Sequence, residues 1–343
     1  MTDTGSVQAV PDPGIQSDDA FLRSLIHQAI LAPSGHNTQP WLFRVQDRQL
    51  ELYADRTRAL PVVDPFDREL TISCGAALGH LDIAARYCGR ALIIDDLPDA
   101  DDPDILAVAR LGEKVDRGGD DAAMFAAIPQ RRTTRSRYDN RLLPPALAEQ
   151  CRGLAQKFGI ELTLVTDAEA RAAIADLVAE GDRIQFSDPC FRRELAAWVH
   201  SRRASSHDGM SGENFGMPDL LSPLGAAVIR TFDLGKGVAA SDRETIVDGS
   251  PTLAVFSTTD DKPQAWLNTG RALSDVVLAL AAAGVTASYL NQPVEVDALR
   301  QRLAGAAGSA GKPQLLMRFG YGETGRPTVR RKVEAVLLPA ASA

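Results

Sequence analysis

A short polar loop between two apolar stretches carries residue types that could recognise a ligand. It spans residues 32–43 and reads Ala-Pro-Ser-Gly-His-Asn-Thr-Gln-Pro-Trp-Leu-Phe. Ser34, Asn37 and Gln39 offer neutral hydrogen-bond donors and acceptors, which suit the edge of a planar heterocycle. Gly35 would let such a ring approach the backbone. The alternative is a helix-to-strand loop whose polar side chains bond its own backbone.

A basic cluster further along the chain is the second candidate for ligand chemistry. It reads Arg131-Arg132-Thr133-Thr134-Arg135-Ser136-Arg137. A solvated basic face, contact with RNA and phosphate binding are the three interpretations, and the net charge of −8 disfavours RNA. Phosphate binding has a direct physical basis, because guanidinium groups match phosphate oxygens and Thr hydroxyls add donors. Arg330 and Arg331 alone would be a charged tail, but with this cluster they would form a site for a dianion.

Length and composition place the chain among soluble globular proteins. Its 343 residues are 45% hydrophobic and 24% charged, enough to bury a substantial core. The net charge of −8 gives no overall basic field for nucleic acid or an anionic membrane surface. No uninterrupted apolar stretch is long enough to span a bilayer. Residues 1–14 lack the basic and apolar regions of a signal peptide, so we expect a cytoplasmic protein.

Other chemical motifs are absent or lack their structural context. The run Gly320-x-Gly322-x-x-Gly325 matches a dinucleotide fingerprint, but Arg326-Pro327 follows it instead of a helix, so we interpret it as a turn. His207 has serines and an aspartate beside it, yet sequence neighbours rarely have triad geometry. Four cysteines show neither C-x-x-C nor zinc-site spacing, so we expect reduced thiols and no metal: Cys74, Cys88, Cys151 and Cys190.

Hydrophobic spacing predicts the elements that would hold the polar loop in place. Apolar residues at helical spacing over 21–30 predict a helix that ends at Pro33. Two strands, 42–45 and 49–53, and a buried helix, 73–88, follow the loop. The loop is therefore expected to connect a helix to a strand.

A boundary between two units is expected in the acidic, irregular stretch 95–121, whose one apolar segment is 105–111. We therefore predict a first unit over 15–125 and a second unit over 126–343. Periodicity in the second unit predicts helices mixed with strands. The helices are 146–158, 168–180, 188–199, 266–283 and 295–303, and the strands are 91–94 in the first unit and 161–165, 252–258, 286–290 and 314–319 in the second.

The polar segment 200–223 has little periodicity and is long for a connection inside a compact domain. Such a segment is a lid, a binding loop or a disordered surface loop. Glycines give it flexibility, and a few large apolar side chains could rest on a ligand: Gly209, Gly212 and Gly216, with Met210, Phe215 and Met217. We predict a lid.

Three motifs together resemble those of one enzyme family. The loop Pro33-Ser34-x-x-Asn37-x-Gln39-Pro40-Trp41 resembles the flavin-ring motif of the nitroreductases, which are FMN-dependent oxidoreductases. Arg131-Arg132-Thr133-Thr134-Arg135 is similar to the family's Arg-Arg-Ser-x-Arg phosphate motif, with Thr133 in place of Ser. Gly320-Tyr321-Gly322 to Arg330-Arg331 resembles the closing segment of the family. The resemblance implies FMN as cofactor and an α+β fold of mostly antiparallel sheets flanked by helices.

The order of these motifs differs from that of an ordinary nitroreductase. There the Arg motif comes first, the ring loop follows shortly after, and FMN lies at a homodimer interface. Here the ring loop comes first and the Arg motif follows with no second ring loop; the segment 201–217 stands where we expect that loop. This arrangement resembles the fused pseudo-dimeric Acg-type subgroup over nearly the whole length. It implies two nitroreductase-like units in one chain, acting as a monomer or a weak homodimer.

The resemblance also implies which residues form the surviving site. The ring loop of the first unit would face the phosphate motif of the second, and the Tyr289-Leu290-Asn291-Gln292 turn falls where the family places backbone against the flavin ring. The implied cofactor-binding residues are Pro33, Ser34, Gly35, Asn37, Gln39, Arg131, Arg132, Thr133, Arg135, Leu290, Asn291, Gln292, Arg330 and Arg331.

Two function classes remain open at this point. The first is an NAD(P)H-dependent oxidoreductase that reduces nitro compounds, quinones or similar small-molecule electron acceptors, with the chemistry on FMN and no catalytic side chain. The second is an FMN storage or sequestration protein with little or no NAD(P)H activity. Whether the segment 200–223 covers the flavin ring separates the two, and the sequence leaves the acceptor and the preferred nicotinamide open.

Overall fold

A computed structural model of the chain describes residues 17–200, 205–211 and 222–340. Most of the predicted lid, including Phe215 and Met217, therefore lies outside the described residues. None of the helices within the described ranges combines the length and the apolar character that a membrane crossing requires. Those same ranges hold no group of three or more His, Cys, Asp or Glu side chains placed to bind a metal ion.

The first half of the chain forms helices around a four-stranded antiparallel sheet. Its elements are α1 (Asp18–Ala29), β1 (Trp41–Gln46), β2 (Gln49–Ala54), α2 (Arg68–Tyr87), β3 (Arg90–Asp96), β4 (Ile105–Lys114) and α3 (Gly119–Ala127). The strand order is β1-β2-β4-β3. Helix α1 begins at the Ser17 side chain, which accepts a hydrogen bond from the Ala20 N–H at 3.3 Å. It ends ahead of the buried Pro33, as the sequence predicts.

The second half forms another four-stranded antiparallel sheet with more helices. Its elements are α4 (Pro145–Gln156), β5 (Glu161–Val165), α5 (Ala168–Ser187), α6 (Pro189–Ala197), β6 (Val199–His200), β7 (Met210–Ser211), α7 (Ser222–Thr231), α8 (Gly235–Gly249), β8 (Thr252–Thr258), α9 (Pro263–Ala282), β9 (Thr286–Tyr289), α10 (Gln292–Glu295), α11 (Asp297–Ala307) and β10 (Lys312–Gly320). The strand order is β5-β8-β10-β9, and β6 and β7 form a separate short parallel pair.

The two four-stranded sheets have the same topology. When the strands of each sheet are numbered along the chain, both sheets have the order 1-2-4-3. A helix of 20 residues lies between the second and third strands of each sheet, α2 in one and α9 in the other. The counterpart of the α1–β1 loop is thus the short α4–β5 connection, 157–160. The segment 200–223 lies between β5 and β8, so our expectation that it replaces a second ring loop is wrong.

The long helices α2 and α9 cross in close contact at glycines. A Cβ atom on Gly270 would lie 2.7 Å from the Cα atom of Gly75, and one on Gly75 would lie 3.1 Å from the Cα atom of Gly270. One turn further along, a Cβ atom on Gly79 would lie 2.5 Å from the Cβ atom of Ser274. Nδ1 of the buried His80 lies 2.8 Å from the Ser274 hydroxyl oxygen. Only residues without a large side chain permit this crossing.

A single apolar core joins the two halves around this crossing. Trp41 and Phe43 of the first sheet belong to the same buried cluster as Phe256 and Phe319 of the second. All four side chains are fully buried. The two sheets therefore stabilise each other through the helices between them.

Each sheet is extended at its edge by a segment from elsewhere in the chain. Phe43 in β1 pairs in parallel with the tail 336–338, and its N–H donates to a tail carbonyl at 2.8 Å. In the second sheet, Thr133 pairs in parallel with Ala287 of β9, where the Thr134 N–H donates to the Ala287 carbonyl at 3.0 Å. The basic cluster and the tail are thereby fixed next to the sheets.

Several elements differ from the sequence-based expectation. The stretch expected to be irregular contains β4, which pairs on both sides with β2 and β3. Helix α2 begins at Arg68 instead of 73, because the buried Asp64 carboxylate accepts from the N–H groups of Arg68 and Leu70 at 2.9 Å each. Backbone N–H groups thereby satisfy the buried Asp64 carboxylate.

We predict that Gly270→Ala destabilises the protein through the helix crossing. The added methyl group overlaps backbone atoms of α2, and overpacking of this kind costs roughly 1–3 kcal/mol. Gly153→Ala is the matched control, since Gly153 lies in α4 with no atom within 4 Å of the new methyl group. Urea unfolding monitored by circular dichroism measures both variants. Equal stability of Gly270→Ala and wild type would contradict the importance of the crossing.

Candidate active site

The polar loop after α1 has an unusual backbone. It contains a 3₁₀ turn, Gly35–Asn37, and three of its non-glycine residues have left-handed φ angles: His36 at 47°, Asn37 at 55° and Gln39 at 54°. Such conformations are uncommon outside glycine and must be held by neighbours. The Ser34 hydroxyl accepts from the Gln39 N–H at 3.0 Å, and the Gly35 N–H donates to the Ser73 hydroxyl of α2 at 3.3 Å.

The amide N–H groups of the loop side chains hold the segment 205–211, which we call the strap. Asn37 Nδ2 donates to the Gly209 carbonyl at 2.9 Å, and Gln39 Nε2 donates to the His207 carbonyl at 2.9 Å. In the other direction, the Gly209 N–H donates a hydrogen bond to the Asn37 carbonyl at 3.2 Å. These donors are therefore used within the protein. The described part of the predicted lid lies directly against the ring loop.

The side-chain oxygens of the same two residues bind the C-terminal tail. Asn37 Oδ1 accepts from Arg330 Nη1 at 3.0 Å, and Gln39 Oε1 accepts from the Arg331 N–H at 2.7 Å. Arg331 also donates to the Gln39 carbonyl at 3.1 Å and pairs with Asp55 at 3.4 Å. Arg331 therefore braces the loop, and its charge is balanced by a carboxylate. Arg330 has no carboxylate partner among the described ion pairs.

Charged and aromatic groups around the strap keep it in place. Arg58 pairs with Asp208, and its guanidinium lies 5.3 Å from the ring centroid of Trp198. Arg135 Nη2 lies 3.7 Å from the sulfur of Met210. Burial, followed by the charge of Arg135, lowers the pKa of His36 to about 4, so the His36 ring is neutral at pH 7. The ring loop of the first half and Arg135 of the second half are thus neighbours.

The basic cluster lines a cavity of about 460 Å³. Arg131, Arg132 and Thr133 line it, and Tyr289 of β9, which is far from them in sequence, also lines it. The remaining wall is largely apolar or glycine, contributed by α9, β9, β10 and the tail: Pro129, Gln130, Val277, Ala281, Gly284, Val285, Thr286, Ala287, Met317, Thr324, Gly325 and Pro327. We call it the basic cavity.

Within residues 17–200, 205–211 and 222–340, no carboxylate pairs with the arginines of the basic cavity or with Arg330 beside them. Arg131 is 8% exposed, and its buried Nε has no hydrogen-bond partner within the described residues. Burial, followed by the charges of Arg131 and Arg132, lowers the pKa of Arg330 to about 9. No carboxylate pairs with Arg131, Arg132 or Arg330 in the ion pairs of the described ranges. Three guanidinium groups that repel one another and lack a counter-charge favour an anionic ligand.

The side chains of the turn after β9 bind within the protein. Leu290 is buried, and Asn291 Oδ1 accepts from the Leu316 N–H at 3.1 Å. Gln292 Nε2 donates to Asp182 at 3.1 Å and to Asp242 at 3.3 Å. The side chains of this turn are therefore structural.

Glu69 of α2 connects this turn to the ring loop. Its Oε1 accepts from Asn291 Nδ2 at 3.2 Å, and its Oε2 lies 3.8 Å from the position of a Cβ atom on Gly35. Burial raises the pKa of Glu69 although Arg68 pairs with it at 2.8 Å. Burial and then Glu69 raise the pKa of Glu295 well above its usual range.

Glu69, Glu295 and the side chain of His36 were missed by the sequence reasoning. Glu69 lies ahead of the predicted start of its helix, so periodicity gave no reason to place it on a buried face. Nothing in the spacing of Glu295 distinguishes it from an ordinary helix residue. A charged residue directly before a long apolar helix is the one signal that could have drawn attention to Glu69.

No family model matches the chain, but curated proteins do. Rv3131 of Mycobacterium tuberculosis, which carries the name "Putative NAD(P)H nitroreductase", is 32% identical over 329 residues, or 93% of this chain and 92% of its own length. This chain belongs to the nitroreductase family. The nitroreductase-family chain is also 27% identical to acg of M. tuberculosis, over 95% of this chain and 97% of acg. PigM of a Serratia species is 23% identical, over 92% of each chain.

Solved nitroreductases align with part of this nitroreductase-family chain. The FMN- and NADPH-dependent nitroreductase NfnB from Sphigopyxis sp. strain HMH has a TM-score of 0.43 and 16% identity, and it covers 64% of this chain and 99% of its own. NfnB from Mycobacterium smegmatis, solved in complex with NADPH, has a TM-score of 0.38 and 18% identity over 64% of this chain and 95% of its own. About a third of this chain lies outside each alignment.

Proposed function

We propose that this nitroreductase-family chain is an FMN-dependent oxidoreductase that takes electrons from NAD(P)H and reduces nitro, quinone or similar acceptors. The observation that carries the proposal is the group of guanidiniums in and beside the basic cavity that have no carboxylate partner among the described residues. The relatives Rv3131, acg and PigM are named NAD(P)H nitroreductases, which agrees with it.

The residues at the basic cavity fit the phosphate of FMN. Arg131 and Arg132, which line the cavity, would hold its oxygens, and the Thr133 hydroxyl adds a neutral donor. Arg330, which is close enough to act electrostatically on both arginines, would add its unpartnered Nε. The buried Arg131 Nε, which lacks a partner within the described residues, would gain an acceptor. Arg331 would act indirectly by fixing Gln39, because its own charge is used by Asp55.

The flavin ring would lie between the ring loop and the turn at Leu290-Asn291-Gln292. When bound, FMN supplies hydride transfer between a nicotinamide and the acceptor. The chain's own contribution would be position and charge, with the backbone of Ser34 and Gly35 on one side of the ring and the turn on the other. Burial raises the pKa of Glu69 while Arg68 pairs with it at 2.8 Å, so Arg68 offsets the charge of this carboxyl.

We also propose that the chain is a fusion of two nitroreductase-like units, 15–125 and 126–343, which together complete one site. The repeated strand order supports the fusion, as does the crossing of the two long helices. The ring loop comes from the first unit, while Arg131 and Arg330 come from the second. One chain would then hold one FMN without a partner subunit.

The stoichiometry follows directly from this proposal. We predict one FMN per chain in a monomer, because both halves of the site belong to one chain. Flavin absorbance gives the cofactor content, and light scattering gives the mass of the species that carries it. FMN found only in a dimer, at a site built across two chains, would contradict the fusion.

Reduction by nicotinamides tests the proposed activity. We predict that NADH or NADPH bleaches the flavin absorbance of the FMN-loaded protein in a stopped-flow experiment, and that a nitroaromatic or quinone restores it. Dithionite is the control for a reducible flavin. The strap that lies against the ring loop favours one alternative, the storage protein. Bleaching by dithionite but by neither nicotinamide would support storage and contradict the oxidoreductase.

The phosphate assignment can be separated from ring binding. We predict that Arg131→Ala weakens FMN binding roughly ten- to a hundredfold, because it removes a charge-assisted contact worth roughly 1.5–3 kcal/mol. Riboflavin, which lacks the phosphate, should bind almost as before. Arg137→Ala is the matched control, since Arg137 is exposed and pairs with Glu244. Fluorescence titration measures all affinities, and equal losses for both flavins would contradict the assignment.

A further inference from the structure

The Tyr289 hydroxyl at the end of β9 is buried and has no hydrogen-bond partner within the described residues. A buried hydroxyl without a partner is costly, and most such groups in native proteins are paired. Tyr289 pairs with Met317 of β10 through the backbone, and this pairing does not involve the hydroxyl. The hydroxyl therefore has an unused donor at the wall of the basic cavity.

Charges around Tyr289 define what it could bind. Arg131 and Arg330 lie close enough to favour the ionised phenolate, and Glu69 acts against it. Burial is the largest influence and raises the pKa of Tyr289 to about 12, so the phenol keeps its proton at neutral pH. The hydroxyl is then a neutral donor beside two cations.

Three unpartnered donors occur together here. The Nε atoms of Arg131 and Arg330 and the hydroxyl of Tyr289 are all buried and lack partners in the described ranges. Each is an N–H or O–H that can donate. The tyrosine oxygen could accept from a guanidinium, but neither Nε atom is bonded to it. A single group with several anionic oxygens would satisfy them together.

We propose that the Tyr289 hydroxyl donates a hydrogen bond to an oxygen of a phosphomonoester held by Arg131, Arg132 and Arg330. The identity of that phosphomonoester as FMN rests on the proposed function, whereas binding of the phosphate group itself does not. The 2′-phosphate of NADPH and free phosphate share the same chemistry. Tyr289 is a binding residue in this scheme and takes no part in electron transfer.

Tyr289→Phe is the direct test, because it removes the hydroxyl and keeps the ring in place. Tyr87→Phe is the matched control, since the Tyr87 ring stacks on Phe125 at 4.0 Å, away from the cavity. The full chain, freed of flavin, is titrated with FMN, riboflavin and inorganic phosphate, and with NADPH against NADH. We expect Tyr289→Phe to weaken binding of FMN and of inorganic phosphate roughly tenfold. Riboflavin binding should hardly change.

The stability of the free protein supplies a second measurement. Removal of an unpaired buried hydroxyl should leave the thermal midpoint of ligand-free Tyr289→Phe unchanged or higher, while phosphate affinity falls. A hydroxyl with a structural role would instead lower the midpoint and weaken both flavins alike. That outcome would overturn the proposal.

The outcomes separate this inference from the proposed function. If Arg131→Ala weakens FMN binding and Tyr289→Phe does not, the inference about Tyr289 is wrong and the FMN site stands. If the protein binds phosphate but no flavin, and Tyr289→Phe weakens phosphate binding, the inference stands and the proposed function is wrong. If only NADPH binding is weakened, with NADH unaffected, the phosphomonoester is the 2′-phosphate, which supports the inference and removes FMN from this cavity.

Discussion

The crossing of α2 and α9 at Gly75 and Gly270 is the constraint on which the rest of the structure depends. Two helices can approach so closely only where neither carries a side chain at the point of contact. Because each helix also packs on its own sheet, the crossing sets the distance between the sheets and unites their cores. The Ser73 hydroxyl on α2 holds the ring loop, while α9 leads directly into β9 and Tyr289. A shift at the crossing would therefore separate the halves of the site.

The ring loop and the basic cavity each raise the free energy of the folded protein, and contacts with the surrounding fold stabilise them. The ring loop has three left-handed non-glycine residues, and the basic cavity has a buried guanidinium without a counter-charge. Neither feature contributes to folding. Asn37 and Gln39 compensate by linking the loop to the strap and to the tail through both ends of their amides. Strained backbone and unpaired charge of this kind are typical of ligand-binding sites.

Local patterns in the sequence predicted most helices and strands but few of the contacts that form the site. Strand β8 was predicted with its observed bounds from its run of apolar and small residues. The structure shows that every residue in it is buried. Strand β4 was missed because its charged end and acidic surroundings conceal the pairing that stabilises it on both sides. Arg331 was grouped with the phosphate ligands, yet Asp55, its partner, lies 276 positions away and has no local signature. Proximity of Arg131 to Arg330 likewise depends on tertiary packing, which resemblance could suggest and periodicity could not.

The hydrogen bond between Asn37 and Arg330 joins residues 293 positions apart, and this separation has a consequence for synthesis. A ribosome adding 5–20 residues per second makes Arg330 roughly 15 to 60 s after Asn37. During that interval the open edge of β1 at Phe43 lacks its pairing with the tail, and an unpaired edge invites association with other chains. The nascent first half thus depends on a late segment to close its sheet and, in the proposed function, to complete the FMN site. Cofactor loading in this protein would accordingly report that translation has proceeded through the tail.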